Sequence, residues 1–416
     1  MRISMAREQR GVDRNRACDA RTGGALYARF RFHGWRPRAN LKTRERRPLP
    51  MSACRKRPDH PATLADVGRA AGVSAMAASA VLNGARTSTR IAQGTRARIL
   101  EAAIRLNYRP NAAARALAQR RMNTLGIAAI VNDGGEFDHY FLEAFNGIIA
   151  NAAAHSQTTT VFALHDWHRD AHLLPGFCDG RIDGLILIAP VFDGDTARLL
   201  PSHTPFVAMH PNRPLRDVVN IEADEEPGAY EIVRTLIAAG HRRILHITGT
   251  RGLGGAERRI QAYQRALADQ GIAFDPDLQV DGRFSTEGGR AALSGWLAQH
   301  AGQSLPDAIF AGNDAIAVGC LEILTKTGYY VPRDISLVGF DDTLAARTTS
   351  PQLTTVRQPL RAMGMRAVEV LLERIRERAG AVVPEIPGTI TFPVEVIHRA
   401  SVQAPLRPRP RVVAPA

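Results

Sequence analysis

From residue 63 onward, apolar residues recur at the spacing of amphipathic helices. In TLADVGRAAGVSAMAASAVLNG they form two helical faces separated by a glycine-containing break: Leu64, Val67, Ala71, Val73, Ala78, Val81 and Leu82. Thr63 followed by Asp66 predicts a capped start for the first helix, and Ser74 predicts the start of the second. A third helix is predicted from Thr95 and must stop at Pro110. Two short helices joined by a tight turn indicate a helix-turn-helix arrangement. An alanine-rich three-helix bundle without a DNA role is the alternative.

Beyond residue 123 the pattern changes to short, nearly continuous apolar runs, each followed by a helix-like stretch. The runs include TLGIAAIVN, DGLILIAP, RILHITG and ISLVGF. Continuous apolar runs between helices are typical of parallel strands that are buried on both faces. The sequence therefore predicts an α/β domain over residues 124–400, divided into two lobes around a cleft.

The positive charge of the chain is concentrated at its amino-terminal end. The net charge is +14, of which residues 1–58 contribute +13 and residues 59–123 contribute +7, so the remainder carries −6. A basic first part and a mildly acidic remainder indicate a nucleic-acid partner for the first part only.

Two terminal segments are expected to be disordered. Residues 1–58 are arginine-rich and show no apolar periodicity, and residues 401–416 are rich in proline. For the first segment two explanations stay open: translation starts at Met51 and the earlier residues are an over-long gene start, or the segment is an arm that binds DNA without sequence preference. The absence of a leucine-heptad repeat after residue 400 favours a dimer over a tetramer.

Several classes of protein are disfavoured by the sequence. The four cysteines, Cys18, Cys54, Cys178 and Cys320, are far apart, which favours a reducing cytosol over a disulfide framework or a zinc site. The run LILIAPVF is much shorter than the roughly 18 apolar residues that a membrane span needs. No nucleophile elbow and no complete dinucleotide fingerprint is present, so we expect no enzyme activity, no cofactor, no metal and no membrane partner.

Five separated motifs resemble the lactose/galactose repressor (LacI/GalR) family of bacterial transcription regulators. They are TLADVGRAAGVS, VLNG, TRARILEAAIRLNYRPNAAARALAQRR, AGNDAIAVG and VPRDISLVGFDD, and they occur in the family's order over roughly residues 62–400. The resemblance implies a small all-α helix-turn-helix domain at 61–109, a hinge helix or linker at 110–123, and a two-lobed periplasmic-binding-protein-like α/β domain with parallel sheets at 124–400. Three crossings would join the lobes, and TITFPVEVIHR would complete the second lobe.

The same resemblance implies a function. The chain would be a ligand-responsive transcriptional regulator, a repressor, that binds a double-stranded, pseudo-palindromic operator as a homodimer in the bacterial cytoplasm, associated with the nucleoid. A small effector such as a sugar would modulate its affinity for DNA. A sugar-binding protein or an enzyme on the same α/β core, without a DNA role, is the alternative.

The resemblance places DNA contacts on and around the second helix. Ala75 and Met76 would meet base edges, and the chain departs from the family where Ala77-Ala78-Ser79-Ala80 replaces the usual Thr-Val-Ser-Arg. Apolar contact to thymine methyl groups is the readout left to alanine and methionine. The residues expected at the DNA in this domain are Thr63, Ser74, Ala75, Met76, Ala77, Ser79, Ala80, Asn83 and Thr95.

Two further DNA-contacting segments are expected. The loop GARTSTRIAQG is longer than in the family prototype and brings Arg86 and Arg90, which either clamp phosphates or belong to a solvated surface loop. In the hinge, the family pattern places Asn111 at the start of a helix, with Ala114 and Leu117 following. Paired Leu117 side chains of a dimer would wedge into a central base step and kink the duplex.

Effector-binding residues are carried over at three positions. Asp314 would accept hydrogen bonds from ligand hydroxyls, Arg259 would donate from the opposite side, and Phe284 would pack against a ring. Tyr140 and Phe141 are expected from the first lobe. Taken singly, Asp314 could instead be a helix cap, Arg259 a surface ion pair and Phe284 a core residue.

Overall fold

The structure of the protein is a computed structural model, which describes residues 61–83, 91–109, 116, 121–131, 137–192, 196–405 and 407–412. Three helices form the amino-terminal domain: α1 Leu64–Ala71, α2 Ala75–Asn83 and α3 Gln93–Arg105. They bury one small apolar cluster, formed by Val67, Ala71, Ala78, Val81, Ile99, Ala102 and Ala103. The three predicted helices and their shared core are confirmed, but α3 begins at Gln93 and ends at Arg105, five residues before Pro110.

Side chains cap the first two helices as the sequence predicts. The Thr63 hydroxyl accepts the backbone N–H of Asp66 at 3.3 Å, and the Asp66 carboxylate accepts the backbone N–H of Thr63 at 3.0 Å. The Ser74 hydroxyl accepts the backbone N–H of Ala77 at 3.1 Å. Between the helices Gly72 has φ of 68°, a left-handed conformation that glycine adopts without a Cβ clash.

The first lobe is built on a six-stranded parallel sheet with strand order β2-β1-β3-β4-β5-β11. Its strands are β1 Thr124–Ile130, β2 Thr158–Leu164, β3 Gly184–Ile188, β4 Phe206–Met209, β5 Val219–Ala223 and β11 Thr389–Phe392. Its helices are α4 His139–Ala154, α5 Trp167–Asp170, α6 Leu174–Phe177 and α12 Leu360–Arg378. Helices α4 and α12 approach closely at Gly147, where a Cβ atom would lie 2.0 Å from the carbonyl oxygen of Arg361.

The second lobe has a four-stranded parallel sheet with strand order β7-β6-β8-β9. Its strands are β6 Ile244–Thr248, β7 Gln279–Asp281, β8 Ala308–Ala311 and β9 Ser336–Val338. Its helices are α7 Glu225–Ala238, α8 Gly254–Ala268, α9 Thr286–Gln299, α10 Asp314–Lys326 and α11 Leu344–Thr348. A short antiparallel ribbon of β10 Thr355–Arg357 and β12 Glu395–Ile397 packs against α7.

The chain passes between the lobes three times, as predicted: from β5 to α7, from β10 to α12, and from β11 to β12. One detail of the prediction is wrong. The segment TITF does not complete the second lobe, because β11 pairs with β5 at the edge of the first sheet. Pro393 follows β11, and since proline has no N–H to donate to a ladder, the strand ends there and only β12 joins the second lobe.

The expectation of disorder after residue 400 is wrong for residues 401–405 and 407–412. The buried Ser401 hydroxyl accepts the backbone N–H of Thr354 at 2.8 Å, and Val412 lies in the second-lobe core with 3% of its surface exposed. Arg407 and Arg409 contact the buried Asp307 carboxylate at 2.8 Å and 2.5 Å. A buried carboxylate and an apolar socket therefore hold a segment that its composition alone marks as disordered.

In the described part of the chain, no helix is long and apolar enough to cross a bilayer.

Candidate functional site

A cavity of about 300 Å³ lies between the lobes of the α/β domain. Its walls come from the loops that follow β1, β3 and β4 in the first lobe, and from those that follow β6, β7, β8 and β9 in the second. The carboxyl ends of parallel strands are where ligands bind in sheets of this kind. The cavity therefore has the position and the size of a small-molecule site.

Tyr140 and Phe141 reach the cavity from the first turn of α4. The side chain of Asp138 caps that helix by accepting the backbone N–H of Phe141 at 3.2 Å. Both aromatic residues line the cavity, together with Phe284 from the second lobe. Three of the predicted effector contacts therefore line the same cavity. Aromatic rings on both lobes suit a flat ligand face.

The hydrogen bonds of His210 determine whether the Tyr140 hydroxyl is free to donate a hydrogen bond into the cavity. Nε2 of His210 accepts the backbone N–H of Ala223 at 3.1 Å, and Nδ1 lies 2.5 Å from the Tyr140 hydroxyl oxygen. Burial lowers the pKa of His210 to about 4, so the ring is neutral at pH 7. Because Nε2 is the acceptor, Nδ1 carries the proton and donates it to Tyr140. The O–H of Tyr140 is then left to donate to a ligand.

Arg259 is the central cation of the second-lobe wall, and only 4% of it is exposed. It donates to Glu225 at 2.8 Å, donates to the carbonyl oxygen of Gly312, and lies 3.7 Å from the Asp341 carboxylate. Its guanidinium carbon sits 3.8 Å from the centre of the Phe340 ring. These contacts fix the fork of the guanidinium in one orientation toward the cavity.

The two carboxylates beside Arg259 have opposite pKa shifts. Burial alone would raise the pKa of Glu225, but the charges of Arg259, His210 and Arg258 outweigh it and hold the pKa at about 2. Burial raises the pKa of Asp341 well above its ordinary value in spite of Arg259. Glu225 is therefore a fixed anion, whereas Asp341 takes up a proton more readily than an ordinary aspartate.

Asp314 does not contact the cavity, which corrects the expectation from the sequence. One of its carboxylate oxygens accepts the N–H and the hydroxyl of Thr343 at 2.7 Å and 3.1 Å, and the other accepts the Thr355 hydroxyl at 2.7 Å. The residue is fully buried, and its neighbour Asn313 lines the cavity in its place. Both oxygens of Asp314 accept internal hydrogen bonds and the residue is buried, so neither oxygen is available to a ligand, and the carboxyl groups that line the cavity are those of Asp138, Glu225 and Asp341.

Strained backbone is concentrated around the cavity. Among the described residues, ten non-glycine residues have positive φ, and five of them line the cavity: Ala189, His210, Arg283, Phe284 and Asp341. Such conformations persist where the surrounding structure enforces them, and they cluster at binding sites. This observation supports a binding role independently of the side-chain chemistry.

Contacts across the cleft hold the lobes together beside the cavity. The Asn212 side-chain oxygen, from the first lobe, accepts the backbone N–H of Gly254 at 2.6 Å where α8 begins. Farther out, Arg347 of α11 donates to Glu143 of α4 at 2.8 Å. The conformation is one in which both lobes meet around the cavity.

His210, Glu225 and Asp341 are cavity residues that the sequence reasoning missed. Each lies within three residues of the end of a strand, at the carboxyl edge where a parallel sheet binds ligands. Applying that rule to every apolar run would have found Glu225 after NIEA and Asp341 after SLVGF. In the described part of the chain, no cluster of His, Cys, Asp and Glu has the arrangement of a metal site.

In the amino-terminal domain the structure exposes the start of α2. Ser74, Ala75 and Met76 are exposed, with 79% of Met76 accessible, while Thr63 is exposed at the start of α1. Four other predicted contacts are at least partly covered: Ala77, Ser79, Asn83 and Thr95. The Ser79 hydroxyl accepts the Asn83 side-chain amide at 3.0 Å.

One prediction for this domain is corrected and five are not addressed by the structure. Ala80 is only 7% exposed, so its side chain has no surface to offer to DNA. The remaining expected DNA contacts lie outside the described residues: Arg86, Arg90, Asn111, Ala114 and Leu117.

Comparison with known proteins gives two family matches. Residues 63–111 match the family described as "Bacterial regulatory proteins, lacI family", and residues 233–402 match a periplasmic binding protein-like domain. The first match covers the three helices, and the second begins within α7 and covers most of the second lobe and the last two crossings.

Full-length relatives share both parts. The chain is 32% identical over 324 residues to the transcriptional repressor PurR of Aliivibrio fischeri, an alignment that covers 76% of this chain and 93% of that repressor. It is 33% identical over 349 residues to the regulator GalR of Escherichia coli, covering 83% and 96%. It is 32% identical over 319 residues to the ribose operon repressor of Haemophilus influenzae, covering 76% and 92%.

Solved structures show the same architecture. The lac repressor dimer bound to operator and the anti-inducer ONPF aligns with a TM-score of 0.70 at 25% identity, over 83% of this chain and 100% of that chain. The complex of the transcriptional regulator CelR with cellobiose aligns with a TM-score of 0.60 at 25% identity, over 82% and 100%.

Proposed function

Because this chain belongs to the lacI family of bacterial regulatory proteins, we propose that it is a transcriptional repressor whose affinity for operator DNA is set by a small effector in the cleft. The observation that carries the proposal is that one chain has both an exposed second helix in the amino-terminal domain and a cavity lined by side chains of both lobes. Members of this family are regulators and not enzymes, so the alternative of an enzyme on the same core is set aside.

At the DNA, the second helix reads the major groove with little hydrogen-bonding capacity. Ala75 and Met76 contact thymine methyl groups, and Ser74 and Thr63 contact phosphates at the exposed helix starts. Ala77, Ser79, Asn83 and Thr95 lie at the margin of this surface. We propose that Arg86 and Arg90 add phosphate contacts, and that Asn111, Ala114 and Leu117 form the hinge whose leucine enters a central base step.

In the cleft, we propose a neutral, ring-shaped effector with hydroxyl or carbonyl groups on its edges. Tyr140 donates to an acceptor on such a ring from the first lobe, Arg259 donates from the second lobe, and Phe141 and Phe284 cover its faces. The charged lining residues are equal in number: Arg258, Arg259 and Arg283 against Asp138, Glu225 and Asp341. Burial raises the pKa of Asp138 and Asp341, whereas the pKa of Glu225 is held at about 2. A sugar fits this chemistry, and a nucleobase is the class to test beside it.

The active species is a homodimer, as in the lac repressor structure, with two helix-turn-helix domains on a pseudo-palindromic site. The protein works in the bacterial cytoplasm, associated with the nucleoid. Effector binding alters the angle between the lobes, and a coupling free energy of about 1–3 kcal/mol between the sites is typical of such switches.

Two measurements test the proposal. First, the full-length chain is used to select duplexes from a random-sequence library, and enrichment of a two-fold symmetric site with thymine-rich half-sites is expected. Second, a thermal-shift screen of pentoses, hexoses and nucleobases on the full-length chain is expected to give a stabilising hit. A chain that enriches no duplex is not a sequence-specific regulator, and a chain that no sugar or nucleobase stabilises has another effector class.

A further inference from the structure

The carboxylate of Asp183 ties down the residues that lead into β1. One of its oxygens accepts the backbone N–H of Met122 and the other accepts that of Asn123, both at 2.7 Å. The backbone N–H of Asp183 in turn donates to the carbonyl oxygen of Thr124 at 2.8 Å. Three successive residues are thereby bound to one residue about 60 positions later in the chain.

This arrangement gives the segment a single conformation. Both hydrogen bonds to the carboxylate are charge-assisted. Because each falls on a separate oxygen, the pair fixes the direction of the chain as well as its position. Asn123 has φ of 50°, and its carbonyl oxygen accepts the backbone N–H of Thr158 at 2.8 Å. The chain before β1 is therefore joined to the starts of both neighbouring strands, β2 and β3.

The same strands reach the effector cavity at their other ends. Strands β1 and β3 pair in parallel from Leu125 and Gly184 onward, and they lead to Ile130 and Ala189 in the cavity wall. Five residues of strand span roughly 17 Å. Both strands are buried in the first-lobe core, where close packing leaves little room for one strand to slide against the other.

We propose that Asp183 is a positioning residue for operator binding, one that holds the carboxyl-terminal end of the hinge at a fixed place on the effector-binding lobe. It acts through Met122 and Asn123 and does not itself touch DNA. Without the carboxylate, two backbone N–H groups lose their acceptor and the end of the hinge is no longer fixed on the lobe, so the amino-terminal domains of a dimer are no longer presented at one spacing. This inference rests on the proposed repressor function.

Because specific binding needs the correct spacing and non-specific binding needs only charge, the two kinds of binding respond differently to this change. The test uses the full-length chain and its Asp183→Ala and Asp183→Asn variants. Asp179→Ala is the matched control, since the Asp179 side chain is in the same loop, is half-exposed and pairs with Arg181 at 2.5 Å. Fluorescence anisotropy measures binding to the duplex that the unchanged chain enriches from a random library, and to a scrambled duplex.

We expect Asp183→Ala to lose at least tenfold in affinity for the enriched duplex while its affinity for the scrambled duplex stays within twofold. Asp183→Asn keeps one acceptor oxygen and most of the side-chain volume, so an intermediate loss is expected even if the alanine variant folds poorly. Hydrogen exchange should become faster at the amides of Met122 and Asn123 in both variants, and Asp179→Ala should behave as the unchanged chain.

Unchanged affinity of Asp183→Asn and Asp183→Ala for the enriched duplex overturns the inference. An equal loss on both duplexes overturns it too, because that result indicates a general loss of folded protein. If the unchanged chain enriches no duplex at all, the proposed function fails and this inference falls with it, which separates the two failures.

Discussion

The hydroxyl oxygen of Tyr140 lies 2.5 Å from Nδ1 of His210 in the wall of the cleft, and the other ring nitrogen of His210 is already occupied by the N–H of Ala223. This pair converts a tyrosine into a hydrogen-bond donor of fixed direction. An effector that fits the cavity must therefore present an acceptor to Tyr140, which distinguishes it from ligands that only fill the space.

The first prediction concerns this donor. Tyr140→Phe removes one hydroxyl and leaves the ring in place, so the fold is retained. A single hydrogen bond contributes about 1 kcal/mol, so the effector Kd should rise roughly fivefold. Isothermal titration with the hit from the sugar and nucleobase screen measures it. Phe141→Tyr cannot serve as the control, because it adds a hydroxyl to the same wall. The control is Tyr330→Phe, a change at an exposed tyrosine that does not line the cavity. An unchanged Kd for Tyr140→Phe would contradict the assignment.

The second prediction is that the free energy of unfolding falls in acid, and that the fall begins at a pH well above the ordinary pKa of carboxylates. Burial lowers the pKa of His246 to about 4, whereas an unfolded histidine has a pKa near 6.5, so the unfolded chain binds a proton that the folded chain excludes. The stability contributed by neutral His246 is complete above pH 6.5 and is lost as the pH falls toward 4. At pH 5 the loss amounts to about 2 kcal/mol.

Chemical denaturation at pH 7.5, 6 and 5 measures this loss. His246→Phe, which keeps an aromatic ring stacked on Phe310, should show a shallower decline than the unchanged chain. His210 has its pKa lowered to about 4 in the same way, so it contributes a second loss of the same sign. Parallel stability profiles for His246→Phe and the unchanged chain would show that His246 does not titrate as proposed.

The third prediction contrasts two arginines of α8. Arg259→Leu leaves the buried Glu225 with only Arg258 and removes the cation beside Asp341, so the free energy of unfolding should fall by about 3 kcal/mol. Arg265→Leu removes a half-exposed partner of Glu226 and should cost less than about 1 kcal/mol. Urea denaturation at pH 7.5 compares them, and equal losses would mean that the buried network is not stabilising.

The fourth prediction separates exposed from buried positions on α2. Met76→Arg changes a side chain that is 79% exposed, so the melting temperature should stay the same while the preferred outer bases of the enriched duplex change. Ala80→Arg forces a charged side chain into a position that is 7% exposed, so it should unfold the domain and abolish DNA binding. Repeating the library selection and recording thermal melts decides both. A folded, fully active Ala80→Arg variant would show that this position is open.

The fifth prediction tests the docked carboxyl-terminal segment. Val412 is 3% exposed in the second-lobe core, and Val412→Ala should lower the free energy of unfolding by about 2 kcal/mol. Val382→Ala, at a fully exposed valine, should change it by less than about 0.5 kcal/mol. If both variants unfold at the same denaturant concentration, residues 407–412 do not contribute to the folded core.

The correction at Asp314 shows where reasoning from the sequence reaches its limit in the effector site. Motif position brings Asp314 to the carboxyl end of β8, directly after Asn313, which lines the cavity. Whether its oxygens face a ligand depends on Thr343 and Thr355, which lie 29 and 41 residues away. No local pattern records those contacts, so the withdrawal of Asp314 from the cavity could not be predicted.

What the sequence by itself determined is the set of features that short-range physics controls. The helix caps at Thr63 and Ser74, the apolar face of each helix and the alternation of buried runs with helices all follow from residues within a turn or a strand of one another. The tertiary structure alone decided the burial of Ala80, the place of β11 in the first sheet and the docking of Arg407 and Arg409 on Asp307. The carboxylate of Asp307 lies about 100 residues before those arginines, and a contact of that range is set by how the lobes fold and pack, which hydrophobic periodicity does not encode.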